Sequence, residues 1–184
     1  MKPIHLIPLG APSGPGVEPG LDLLEYLAAA LARTFRTPCQ IRPETFDLSF
    51  ALDAGRQQYY STAIIQRLER AMDPDARVLG VTAFDLYVPV LTFVFGEAQL
   101  DGNCAVVSTT RLKDEFYGMP PREDLLRERL FKEAAHEIGH TFGLRHCADW
   151  RCVMTSSHAV ERLDVKGAEF CRACRKPIFE NGYW

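Results

Sequence analysis

Four side chains within one short run, HEIGHTFGLRH, have the types and spacing to do chemistry: His136, Glu137, His140 and His146. Histidines four positions apart on a helix point the same way, so both imidazoles can reach one metal ion. Glu137 stands beside them, placed to hold a water molecule and take a proton from it. Gly143 can leave the helix with positive φ, which a side chain resists. The turn that follows brings His146 round as a third nitrogen ligand. Three protein ligands leave one tetrahedral position for water, the arrangement of a catalytic zinc rather than a structural one. Three of the five histidines in 184 residues lie in this run, which disfavours reading them as scattered surface or core residues.

These groups need a helix under them, and the sequence supplies one. Pro120-Pro121 suit a first helical turn, and Glu123 and Asp124 place negative charge at its positive end. At about 100° per residue, Phe131, Ala134, Ala135, Ile138 and Phe142 share a stripe, with His136 and His140 across the helix from it. Upstream, Ile4–Leu9 reads as a strand, and residues 10–20, rich in glycine and proline, as a loop. Leu21–Arg36 reads as a helix, Gln40–Arg42 as a short strand, Gln57–Met72 as a second helix and Arg77–Thr82 as a third strand. This β-α-β-α-β order implies a parallel sheet with right-handed crossovers. Asp101-Gly102 between Val90–Leu100 and Asn103–Thr109 predicts a type I′ hairpin, so one of those two strands runs against the others.

The last 38 residues hold four of the six cysteines, as Cys147-x4-Cys152 and Cys171-x2-Cys174. Two closely spaced pairs are the usual way to offer four thiolates to one tetrahedral zinc. Two disulfides are the competing reading, and they would need an oxidising compartment. Cys39 and Cys104 stand alone and read as buried thiols.

Residues His136 to His146, with Cys147, Cys152, Met154 and Cys171-x2-Cys174, resemble the signature of the archaemetzincins, a branch of the metzincin clan of zinc-dependent proteases. The resemblance implies that His136, His140 and His146 bind a catalytic zinc, that Glu137 is the general base and that the four cysteines bind a second, structural zinc. It also implies that Met154 packs beneath the histidines as a hydrophobic floor, and that Phe93–Gln99 is an antiparallel edge strand on the rim of the cleft. Several relatives in the clan carry a tyrosine just after that methionine. Here Thr155-Ser156-Ser157-His158 follows, which leaves transition-state stabilisation to the zinc, helped by His158 or an arginine, with an ordinary loop histidine as the plainer reading of His158. The implied fold is α+β: a mixed, mostly parallel twisted sheet with an antiparallel edge strand, flanking helices and a zinc-bound C-terminal segment. Residues 1–184 read as one catalytic domain, with a sheet-and-helix upper part (1–119), the active-site helix and zinc motif (120–146), and the four-cysteine segment (147–184).

Composition narrows the partners. A chain that is 47% hydrophobic can fill one core. Its net charge of −3 and pI of about 6.0 point away from nucleic acid and anionic membranes. No apolar run approaches the roughly 18 residues needed to span a bilayer, and Ile4 to Leu9 are too short for a signal-peptide core. A cytoplasmic monomer acting on a peptide or protein substrate is expected. A peptide deformylase also uses HExxH but draws its third ligand from an upstream cysteine. A zinc-ribbon-like binding module, or a catalytically weak peptide-binding protein stabilised by zinc, are the readings without turnover. Glu97 and Glu133 are the candidate anchors for a substrate amine, with an ordinary surface charge as the plainer reading of each.

Overall fold

The structure, a computed structural model, describes residues 1–10, 19–42 and 46–180. The elements in chain order are β1 (Ile4–Leu9), α1 (Leu21–Phe35), β2 (Cys39–Ile41), β3 (Leu52–Asp53), β4 (Gln58–Tyr60), α2 (Ser61–Ala71), β5 (Arg77–Thr82), β6 (Leu86–Tyr87), β7 (Gly96–Ala98), β8 (Cys104–Ser108), α3 (Glu123–Thr141), α4 (Val160–Val165) and α5 (Arg172–Glu180). Five strands form one sheet in the order β2-β1-β5-β8-β7. The first four are mutually parallel, and β7 runs antiparallel to β8 at the edge. A second, small sheet joins β3, β4 and β6.

Parallel strands need crossovers, and the helices that make them cover both faces, so β5 and β8 are buried along their whole length. The period of two is visible across the sheet. Ile4 and Leu6, Leu79 and Val81, and Ala105 and Val107 point toward α1 and α3. Ile7 and Leu9, Val78, and Cys104 and Val106 point the other way, onto Ile64, Ile65 and Leu68 of α2. The long helix α3 is therefore pinned across one face, with its last turns opposite the edge strand.

Two predicted strands, Ile4–Leu9 and Arg77–Thr82, stand as read. Others shift. The loop predicted for residues 10–20 lies mostly outside the described residues, with only Gly10, Pro19 and Gly20 inside them. The second strand is one residue earlier than Gln40–Arg42, because Cys39, Gln40 and Ile41 register with Ile4, His5 and Leu6. The predicted helix Gln57–Met72 loses its start: Gln58–Tyr60 is a strand, paired with β3 and β6 and stacked through Tyr59 on Phe84, so tertiary pairing overrides helical pattern there. The hairpin is present, but its turn is not type I′. Asp101 has φ of 57° and Gly102 does not share it, and the loop spans four residues between the bonded pair Gln99 and Cys104. The Asp101 amide donates to the His140 carbonyl at 3.0 Å, so the turn is shaped by docking on the end of α3. Ladder pairing over Gly96–Ala98 is extended by bonds at Phe95 and Gln99, which makes the edge strand shorter than Phe93–Gln99. Pro120-Pro121 precede α3 rather than open it, since the helix starts at Glu123.

Candidate metal centres and cleft

Helix α3 ends where the sequence requires. The Leu144 amide reaches the Gly139 carbonyl and the Gly143 amide the His140 carbonyl, a Schellman closure with Gly143 at φ 78° in the left-handed position. That reversal carries the chain back and sets His146 beside the two helix histidines. The ring centroids of His136 and His146 are 5.2 Å apart, and those of His140 and His146 are 5.1 Å apart. One nitrogen from each of the three rings lies within 4.8 Å of the others.

The outer nitrogens of the helix pair are already committed. His136 Nδ1 bonds the Val153 carbonyl at 2.9 Å and His140 Nδ1 bonds the Leu144 carbonyl at 2.7 Å. A carbonyl only accepts, so each Nδ1 carries the proton and each Nε2 presents a lone pair. Those two Nε2 atoms are 3.1 Å apart. Two lone pairs so placed repel unless a cation lies between them, and zinc with bonds of about 2.05 Å would set its nitrogen ligands about 3.3 Å apart. Burial, reinforced by the Lys166 ammonium, holds His136 well below the usual imidazole range, and burial also lowers His140 and His146. All three are thus kept neutral, the form that binds metal. The donor set fits zinc.

Glu137 is buried on the same helix. Burial, with the charges of Glu133 and Glu97, pushes its carboxyl well above the ordinary range, and Lys166 opposes that shift. The group therefore has raised affinity for a proton. Met154 is fully buried against Gly139, on the turn that carries both helix histidines.

The four cysteines also come together. Their sulfurs all lie within 4.8 Å of one another, and Cys147 Sγ and Cys171 Sγ are 3.9 Å apart. A zinc tetrahedron with bonds of about 2.3 Å places its sulfurs about 3.8 Å apart, whereas a disulfide needs about 2.05 Å. Burial raises the thiols of Cys152 and Cys174, while the Cys174 amide lowers Cys171. A divalent cation would hold all four as thiolates. Of the outlying cysteines, Cys104 is buried as read, whereas Cys39 is only half-buried on the outermost parallel strand, and burial pushes both thiols up to about 12.

Both candidate anchors turn out to be engaged. Glu133 is not a surface charge. It is buried in an ion pair with Lys166, at 2.8 Å, and both groups are almost wholly out of solvent. Glu97 registers with Val106, on the α2 side of the sheet. There its carboxylate accepts from Ser61 Oγ and from Thr62 Oγ1, the latter at 2.8 Å, at the start of α2. Sequence reasoning missed Lys166. A lysine just past a short helix carries no sign of burial, and only the position of Glu133, one turn before Glu137, hinted at a partner. His158 is exposed and lines the same cleft as Arg145 and the three histidines, a cavity of about 530 Å³.

Fold and site together define the class, and this is a zinc metallopeptidase. Comparison with known proteins narrows it: the model of peptidase family M54 matches residues 37–179, and the chain belongs to that family. It is 40% identical over 163 residues to an archaemetzincin of Methanocaldococcus jannaschii, covering 89% of each chain. Among solved structures it is similar to the archaemetzincin of Methanopyrus kandleri, with TM-score 0.81 and 35% identity over 98% of this chain and 94% of that one. The archaemetzincin of Archaeoglobus fulgidus, solved as a complex with malonate, gives TM-score 0.79 and 38% identity over 95% and 99%. Among the described residues, no helix is long and apolar enough to cross a membrane.

Proposed function

We propose that the chain cleaves peptide bonds in a peptide or protein substrate with two zinc ions per molecule, a catalytic one at His136, His140 and His146 and a structural one at Cys147, Cys152, Cys171 and Cys174. The observation that carries this reading is the facing pair of Nε2 lone pairs 3.1 Å apart, with a buried carboxylate on the adjoining residue. Zinc bound there would supply Lewis acidity to a substrate carbonyl and to a water molecule. Glu137 takes a proton from that water at its carboxylate oxygen and passes it to the amide nitrogen that leaves. Its raised proton affinity suits the first half of that exchange, and the nearby Lys166 ammonium keeps the proton from being held too tightly. Strand β7, last in the sheet, offers its outer backbone edge to an extended peptide.

The shared sheet between the two cores supports residues 1–184 as one catalytic domain: 1–119 building the sheet, 120–146 the helix and histidine motif, and 147–184 the cysteine site. Thiolate ligands favour a reducing compartment, hence the cytoplasm, and a monomer is the expected form. The test is Glu137→Gln, which keeps shape and accepting capacity but cannot take the proton. Turnover should fall by about 10²-fold or more while zinc content stays at the wild-type value. Wild-type turnover in that variant would remove Glu137 as the base, and loss of zinc would make it part of the metal site instead.

A further inference from the structure

Charge is unevenly disposed in the cleft. Two of its three carboxylates are engaged, Glu97 by Ser61 and Thr62 and Glu133 by Lys166, and the third, Glu137, is buried. The positive and donor groups are different. Arg145 is exposed in the cleft, and among the described residues it has neither hydrogen-bond nor ion-pair partner. His158 is also exposed and, among the described residues, bonded only to Ser156 Oγ at 3.4 Å. Ser157 lines the same cleft with its Oγ buried and unpartnered. Leu91, Phe93 and Leu100 line the same cleft with apolar surface.

We propose that Arg145 and His158 form a subsite for a carboxylate of the substrate. The cleft then favours peptides with an acidic side chain, or their own C-terminal carboxylate, within about two residues of the bond that is cut. A carboxylate accepts a charge-assisted, bidentate pair of bonds from the guanidinium and a further bond from the imidazole, whereas a carboxamide brings no charge to the guanidinium. This inference rests on the peptidase reading, and its test separates the two.

Zinc-loaded Glu137→Gln protein turns over about 10²-fold or more slowly, so affinity can be read by fluorescence anisotropy before the probe is cut. The probes are labelled hexapeptides with Glu, Gln or Lys at each successive position, each with a free or amidated C-terminus. Glu should be preferred to Gln at one position, or free acid to amide, by about fivefold or more. Which arm responds tells a side-chain carboxylate from a terminal one. Adding Arg145→Ala should bring that ratio to about one, and Arg145→Glu should invert it in favour of Lys. Wild-type kcat/KM should show the same preference. If wild type cuts no peptide but the binding preference and its dependence on Arg145 hold, the peptidase reading falls and the subsite stands. Equal binding of acidic and neutral peptides, no binding of any acidic peptide, or a preference that survives Arg145→Ala overturns the subsite.

Discussion

A Cβ added at Gly139 would lie 2.5 Å from Met154 Sδ and 3.1 Å from the Phe170 ring. Met154 has no exposed surface and Phe170 almost none, so neither can swing away without moving the segment that carries it. Gly139→Ala should therefore cost about 1–3 kcal/mol, the usual range for overpacking a closed core. A lower melting temperature checks this, and an unchanged one would mean that Met154 is free to yield. Single residues also show where sequence reading succeeds. His136, Glu137, His140 and His146 were legible because the helix period and one glycine turn place them without help from the rest of the fold. Glu133 was not legible, since its burial depends on a lysine 33 positions away. The same holds for the unpartnered Ser157 hydroxyl, which only a folded cleft can isolate.

At the scale of elements, α3 is held by buried cations. Arg129 is 3% exposed and donates to Asp164, to Asp114 at 2.8 Å and to the Leu112 carbonyl. Lys132 reaches the carbonyls of Leu163 and Asp164. These bonds tie the active-site helix to α4 and to the turns before it, and they join segments 15 to 35 positions apart, beyond any local pattern. Burying such charges is tolerable only with partners in place, so losing one partner is costly. Asp114 illustrates the pH consequence. The Arg122 guanidinium, and Arg129 behind it, hold its carboxyl below the ordinary carboxylate range. A lowered native pKa means the unfolded chain binds the proton more readily, so the stabilisation is present above the unfolded value of about 3.9 and is lost as pH falls through the native one. Asp114→Asn should thus melt below wild type at neutral pH, and the gap should close under acid conditions. Thermal melts across that range measure it, and a gap that stays constant with pH would show that the carboxylate charge is not what Arg129 needs.

For the molecule as a whole, the most consequential feature is that the two candidate metal centres share one stretch of chain. His146 and Cys147 are neighbours facing different sites. Cys152, Val153 and Met154 follow one another as a thiolate of one site, the carbonyl that orients His136 of the other, and the side chain against Gly139. The Cys147 amide bonds the Met154 carbonyl at 3.0 Å, and the Val153 amide bonds the Glu169 carbonyl at 2.9 Å, so the stretch is clamped just where the cysteines meet. The sequence spacing showed two sites, and only the fold shows that they are mechanically joined. Removing one thiolate should then act on both. Wild type purified without chelator should carry two zinc ions per chain, and Cys171→Ser should lose the structural one and melt earlier, since such a metal contributes folding free energy directly. In the same variant the Val153 carbonyl and His146 are less firmly placed, so the remaining zinc should bind about 10–100-fold more weakly, the usual cost of disturbing the groups that orient histidine ligands. Competition against a chromogenic chelator reads that affinity without any substrate. If Cys171→Ser lost one zinc and held the other at wild-type affinity, the two centres would be independent, and the shared stretch would be a matter of sequence economy alone.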